Sequence, residues 1–400
     1  MLVTTAILLC LALQPGPRAV FPQPTGPHAV GTTTFHWIDA DRNETFTETK
    51  DDKRELMVQV WYPAQKTKKP AFSPYLPDFD LLEQALPPAF GAHGKRLAMV
   101  RVAADVDAPP RAGPRLPVVV LSQGLGQSRL FYTSQALELA SYGYAVVTID
   151  HTYDVNGIVF PERRVVGRRS EAGAESEKVT FSKTGRKATP RLEVWSADQR
   201  FVLDQLGRLH AGKLSPLLKG RLDLKRVGLL GHCYGADAAM LTASRDARVK
   251  ACVNQNGWPL CAEVINGGLK MPLLFLWGEL TPSVVHARTL GLPDDKLAAL
   301  MSAFRTSQRK VLEKLGTSVC HVEVLDHEHI AFSDLPMLLA WLETPVDSPM
   351  QLPPRMRLVR SWTRAFFDRY LKGKRGALST QAEDANGVRV ERYGGVRKQH

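Results

Sequence analysis

Two spacings of apolar residues recur along this chain, and the changes from one to the other outline its elements. Residues 55–62 alternate and stop at Pro63, the pattern of an early antiparallel strand. Residues 117–122 hold an unbroken run from Val118 to Leu121, as a strand covered on both faces would. Pro117 takes the first strand position, where a missing N–H is tolerated. Residues 132–142 have helical spacing, 144–150 read as a strand, and 192–209 read as a helix. Residues 226–232 predict another strand, which runs straight into a helix of small residues at 234–240. Strands follow at 249–255, 272–277 and 318–325, with a closing helix at 358–371. A short helix is expected at 81–86, inside the irregular, proline-rich stretch 66–116. Alternating strands and helices imply an α/β fold: a mostly parallel sheet with helices on both faces. One domain over 21–375 accounts for all of it.

The segments outside this pattern differ in kind. Residues 1–20 carry a short apolar run, too short to span a bilayer and suited to a cleaved leader. That predicts a secreted or periplasmic protein, with membrane-anchored or cytoplasmic placement as the alternatives. Residues 14–30 form a Pro/Gly linker. The polar, mixed-charge stretch 161–190 predicts a surface insertion that acts as a lid. Residues 376–400 read as a disordered polar tail.

Composition adds exclusions. The 400 residues are 44% hydrophobic and 23% charged, an ordinary globular balance. The net charge of +12 is spread along the chain, with no basic helix or aromatic–basic motif. Nucleic acid is therefore not expected as a partner; an anionic small molecule or a lipid surface is compatible with the charge. Five cysteines, at 10, 233, 252, 261 and 320, show neither metal-ligand spacing nor a disulfide framework, with Cys252–Cys261 the pairing left open. There is no phosphate loop, nucleotide fingerprint or metal pattern, so no cofactor is expected.

The candidate chemistry centres on Gly231-His232-Cys233-Tyr234-Gly235, at the junction of the 226–232 strand and the following helix. This is the form of a nucleophile elbow, usually written Gly-x-Ser-x-Gly, and it points to an α/β-hydrolase fold. The tight strand-to-helix turn leaves no room for side chains at Gly231 and Gly235. Beside a helix N-terminus, a thiol at Cys233 would ionise more readily than usual.

Taken with four further motifs, the chain resembles the plasma-type platelet-activating-factor acetylhydrolases and their microbial relatives. These motifs are Thr25-Gly26-Pro27-His28-Ala29-Val30-Gly31, Trp61-Tyr62-Pro63, Gln123-Gly124-Leu125-Gly126 and His329-Ile330-Ala331-Phe332-Ser333-Asp334. The cysteine at the elbow also resembles that of dienelactone hydrolases. The resemblance implies a calcium-independent esterase with a Ser-Asp-His triad acting on short or oxidised acyl esters. It places the oxyanion hole at the backbone N–H groups of Leu125 and Tyr234, with Gln123 where the family often has His. It places the base at His329, with His327 as the rival. The acid falls on Asn256, with Asn254 a poorer fit and Asp326 a substitute from another loop. Cys for Ser and Asn for Asp are compatible changes, because Cys-His-Asn is an established catalytic set. A thiolate–imidazolium pair needs an orienting group more than a carboxylate. The expected activity is hydrolysis or acyl transfer of an ester, lactone or thioester through an acyl-cysteine. The alternative is a catalytically silent protein that binds a lipid or acyl ligand in the same pocket.

Overall fold

In the computed structural model, described over residues 20–66, 72–86, 88–169, 188–258, 261–280, 293–345, 347–376, 378 and 387–393, ten strands form one sheet. In chain order they are β1 (Val30–Asn43), β2 (Lys53–Pro63), β3 (Asp105–Val106), β4 (Leu116–Ser122) and β5 (Ala145–Asp150). Then come β6 (Leu222–His232), β7 (Val249–Gln255), β8 (Leu273–Leu280), β9 (Val319–Glu328) and β10 (Val388–Tyr393). Across the sheet the order is β10–β9–β8–β7–β6–β4–β5–β2–β1–β3. The six strands from β5 to β9 in that order run parallel, β10 pairs antiparallel with β9, and β2 is antiparallel to both β5 and β1.

Among the described residues the α-helices of eight or more residues are α1 (Thr133–Ser141), α2 (Pro190–His210), α3 (Tyr234–Arg245), α4 (Asp294–Lys314), α5 (Leu335–Leu342) and α6 (Pro354–Leu371). Period-two alternation inside the apolar strands divides them between two cores. Val119 and Leu121 of β4 face α1, α5 and α6, while Val118 and Val120 face α2 and α3. These positions are almost fully buried. Each such side chain contributes about 1.5–3 kcal/mol on burial, so the uninterrupted run, not local propensity, fixes β4 at the centre.

Boundaries moved where tertiary contacts decide them. Strand β6 begins at Leu222 because this buried residue pairs with Leu116, before an irregularity between Asp223 and Val227. Helix α2 begins at Pro190, with Thr189 as N-cap accepting from the Leu192 N–H at 3.2 Å. The tail expected to be disordered carries β10. Its Val388 is buried and Val390 packs on the core, a two-residue pattern too short to stand out among the surrounding polar residues. The start of the expected insertion is regular: its Arg164–Gly167 pairs with Gly157–Phe160, just ahead of it, in a hairpin whose Ile158 and Phe160 bury against Met57 and Val155. Its residues 170–187, and the leader at 1–19, lie outside the described residues. The pairing of Cys252 with Cys261 does not form; both are free and buried.

Candidate active site

Strand β6 ends at His232 and α3 starts at Tyr234, so the chain turns within one residue. That residue, Cys233, has φ 53° and ψ −125°, a left-handed backbone that a side-chain-bearing residue rarely adopts. The two glycines are sterically required. A Cβ on Gly231 would lie 2.3 Å from the Gly235 carbonyl oxygen, and one on Gly235 would lie 2.3 Å from the Gln123 carbonyl oxygen. The elbow is thus wedged against the loop that follows β4. The Cys233 N–H donates to the Gln255 carbonyl at the end of β7, 2.9 Å away.

Asn256 is the next residue after β7, also with positive φ (55°), and its amide is held from both sides. Its Oδ1 accepts the buried Gly278 N–H of β8 at 2.9 Å, and its Nδ2 lies 2.6 Å from His329 Nδ1. The backbone N–H of Asn256 donates to Leu276 O at 2.8 Å. His329 follows directly on β9, and burial pulls its imidazole down to about 4, so it is neutral at neutral pH.

The alternatives from the sequence fall elsewhere. His327 is buried, sets its ring edge-on to Phe332 at 4.6 Å, and its Nε2 meets no partner among the described residues. Asp326 is largely exposed and lies 3.3 Å from Arg355. Asn254 turns to α3, with its Nδ2 on the Met240 sulfur at 3.1 Å, and caps Gly257 N at 2.8 Å. Of the three candidates for the orienting position, only Asn256 has a hydrogen bond to His329 in the structure.

The loop 123–126 lies over the elbow: a Cβ on Gly124 would stand 3.3 Å from the Cys233 Cβ. The Leu125 N–H meets no acceptor among the described residues, whereas the Gly124 N–H donates to the Tyr132 hydroxyl at 2.8 Å. Tyr132 is 2.6 Å from His232 Nδ1, and His232 Nε2 donates to the His329 carbonyl at 2.9 Å. One buried chain of hydrogen bonds therefore ties the loop, the elbow and the histidine loop together. Sequence reading missed both Tyr132 and His232. The only signal for His232 was its place inside the elbow motif.

A second Ser-His-Asp arrangement lies behind the loop and also escaped the sequence. His151 bridges Ser122 Oγ (3.1 Å) and Asp198 Oδ2 (2.8 Å) and stacks on Trp195 at 3.9 Å. Arg54 grips the same Asp198 through two hydrogen bonds of 3.1 and 2.7 Å, holding its carboxyl well below the usual range despite complete burial. Ser122, His151 and Asp198 are all at 0% exposure, so no substrate reaches them. They brace the base of the 123–126 loop.

Known proteins bear on this geometry. Ferulic acid esterase from Streptomyces cinnamoneus superposes with a TM-score of 0.65 at 29% identity, covering 89% of this chain and 94% of that one. The fold is that of the α/β-hydrolases. The family model of platelet-activating factor acetylhydrolase, isoform II, matches residues 15–200, the part of this chain that precedes the elbow. A probable 1-alkyl-2-acetylglycerophosphocholine esterase of Arthroderma benhamiae is 29% identical over 288 residues, 66% of each chain. The platelet-activating factor acetylhydrolase of Cavia porcellus is 25% identical over 285 residues, 66% of this chain and 61% of that protein. The aligned region thus spans just under two thirds of these relatives' length. By sequence and by fold, this chain is similar to enzymes that cleave esters. Among the described residues no helix is long and apolar enough to cross a membrane.

Proposed function

We propose that this chain is an ester or thioester hydrolase that forms an acyl-cysteine on Cys233, with Asn256 orienting His329 and the N–H groups of Leu125 and Tyr234 receiving the oxyanion. The observation that carries the reading is the Asn256 amide, held between Gly278 and His329. A backbone N–H can meet only an acceptor, so Gly278 at 2.9 Å fixes Oδ1 on its own side. Nδ2 then has to face His329 Nδ1, and it donates there. An Nδ1 that accepts carries no proton, so in the neutral ring the proton sits on Nε2.

That tautomer is the reverse of the one a serine nucleophile needs. A hydroxyl requires a ring nitrogen with a free lone pair, and the corresponding Asp-to-Asn change in a serine protease costs about 10⁴ in kcat through the wrong tautomer. A thiol can instead lose its proton to solvent and act as a thiolate, accepting a hydrogen bond from Nε2–H. This replaces the thiolate–imidazolium pair expected from the sequence. Burial of His329 and the Asn256 donor both oppose a charged ring.

The substrate class follows from the same constraint. The thiolate sulfur attacks the carbonyl carbon, the C=O electron pair moves onto oxygen, and the tetrahedral intermediate collapses by expelling the leaving group. His329 cannot protonate that group without becoming an imidazolate. The favoured substrates therefore have leaving groups that depart as weakly basic anions: phenolic esters and thioesters rather than simple alkyl esters. Water then attacks the thioester without help from a ring lone pair, so deacylation is slow and the acyl-enzyme accumulates.

The test is a stopped reaction with 4-nitrophenyl acetate, read by intact-mass and peptide mass spectrometry. One acetyl group on the Cys233 peptide, with a burst of nitrophenolate of about one per protein, is the expected result. Turnover with no modified cysteine, or acetylation confined to another residue, would overturn the assignment.

A further inference from the structure

Two larger cavities, of about 350 and 300 Å³, lie far from the elbow, where the parallel strands begin. The smaller is walled by six cationic side chains: Arg111, Arg115, Arg221, Arg226, Lys372 and Lys374. No Asp or Glu lines it among the described residues. It sits between the loop entering β4, the start of β6 and the residues that follow α6.

Two carboxylates approach these cations from outside. Asp223 takes Arg226 at 2.7 Å, and Asp368 takes Lys372 and Lys374 at 3.5 and 3.1 Å. Arg111, Arg115 and Arg221 have no carboxylate partner among the described residues. The deeper cations are positioned by the fold itself. Arg221 donates to the carbonyls of Gly113 and Arg111 at 2.8 and 2.7 Å, and Lys372 donates to Tyr142 O at 2.6 Å over the Tyr144 ring. Structural anchoring explains these groups. It does not explain Arg111 and Arg115, whose exposed side chains reach the same space without a carboxylate. The excess charge is felt locally. Burial, with Lys374 and Arg226 nearby, pulls the Lys372 amine down to about 8; burial, Arg111, Lys372 and Lys66 pull His28 down as well.

We propose that this cavity is a binding site for a phosphate-bearing anion, separate from the ester-cleaving centre. Guanidinium groups that converge on one small volume match an oxyanion with several acceptors, and a phosphate monoester brings nearly two charges where a carboxylate brings one. The volume exceeds that of a bare ion, so the phosphate enters on a small molecule or at the head of a lipid.

The experiment uses the full chain and the double variant Arg111→Ala/Arg115→Ala, which loses no ion pair seen in the fold. Thermal melting is followed in rising glycerol 3-phosphate, with sodium chloride added to hold ionic strength constant. Sedimentation is followed with phosphatidylcholine vesicles with and without phosphatidic acid. A melting shift with glycerol 3-phosphate that falls at least tenfold in apparent affinity in the variant supports a soluble ligand. Sedimentation only with phosphatidic acid, lost in the variant, supports a lipid headgroup. Cleavage of nitrophenyl acetate stays unchanged in the variant, which separates this site from the elbow. No response to either probe, or an equal response from the variant, would overturn the proposal.

Discussion

Replacing Asn256 by Asp tests the whole mechanistic reading with one isosteric change. In the fold, one carboxylate oxygen would take the Gly278 N–H now 2.9 Å from Oδ1, and the other would face His329 Nδ1 at 2.6 Å. Nδ1 would then carry the proton, Nε2 would gain a lone pair, and a protonated ring would be stabilised instead of opposed. In the wild type that charged ring requires the amide to turn over and abandon the buried Gly278 N–H. Such a loss costs about 1–3 kcal/mol, roughly a 5- to 150-fold penalty in population. With Asp the ring becomes a working general acid, an effect of about 10²–10⁴ when the leaving group needs a proton. The assay is kcat/KM for acetate esters of increasingly basic leaving groups, from nitrophenol through phenol to ethanol. Wild-type rates should fall steeply along that series. The Asn256→Asp rates should fall gently, so that the variant gains about 10²-fold or more on the alkyl ester and under about tenfold on the nitrophenyl ester. Parallel slopes for the two proteins would refute the tautomer argument, and so would a variant slower on every ester. The ¹⁵N shifts of His329 give a second readout, with the proton on Nε2 in the wild type and on Nδ1 in the variant.

Further outcomes follow from the same geometry. Cys233→Ser alone should lose about 10⁴ in kcat, and Cys233→Ser with Asn256→Asp should recover most of it, a strongly non-additive cycle measured on nitrophenyl acetate. Limiting iodoacetamide at neutral pH should label Cys233 before Cys252, whose thiol burial pushes up to about 12, as peptide mapping would reveal. Burial and Arg355 pull His327 down to about 4 from an ordinary 6.5, so the fold favours its neutral form. That stability is complete above about pH 6.5 and is lost as pH falls toward 4; urea melts of His327→Gln should show a flatter acid limb. Asp334 has the opposite sign, because burial raises it to about 7. Its contribution is lost as pH rises from 3.8 through 7, and Asp334→Asn should flatten that limb in the same melts.

Much of the fold was readable because its determinants are long and local. The apolar runs at 117–122 and 272–277 specify buried parallel strands wherever they meet partners. The elbow is also local, since Gly231 and Gly235 are dictated by contacts within five residues of each other and with the Gln123 loop. What escaped depends on distant partners. Strand β10 is one buried and one half-buried valine in a polar tail and exists because β9 offers an open edge. The His151–Asp198–Arg54 brace joins residues 47 and 144 positions apart, and no spacing rule connects them. The hairpin at 157–167 buries Ile158 and Phe160 against Met57, a contact invisible in the flanking charges.

Cys233 and Asn256 could be matched as a chemical pair from sequence alone, but the reason they match lies in a third residue that carries no side chain. An asparagine beside a histidine is ambiguous, since either end of the amide can face the ring. The backbone N–H of Gly278, supplied by the neighbouring strand β8, removes that ambiguity. A carboxylate in the same place satisfies Gly278 and a protonated Nδ1 together, so it supports serine. An amide satisfies Gly278 only by turning its own N–H groups toward the ring, so it supports a nucleophile that needs no base. Asparagine with serine would be a broken triad in this backbone, whereas asparagine with cysteine is a consistent one. No substitution at Gly278 is expected to rescue Cys233→Ser while its N–H remains in place. A Cβ there would also lie 2.6 Å from the His327 carbonyl oxygen, so the position cannot readily be altered without moving the histidine loop. On the proposed mechanism, selectivity among leaving groups would be set by one backbone hydrogen bond, and the ester series with Asn256→Asp measures its effect.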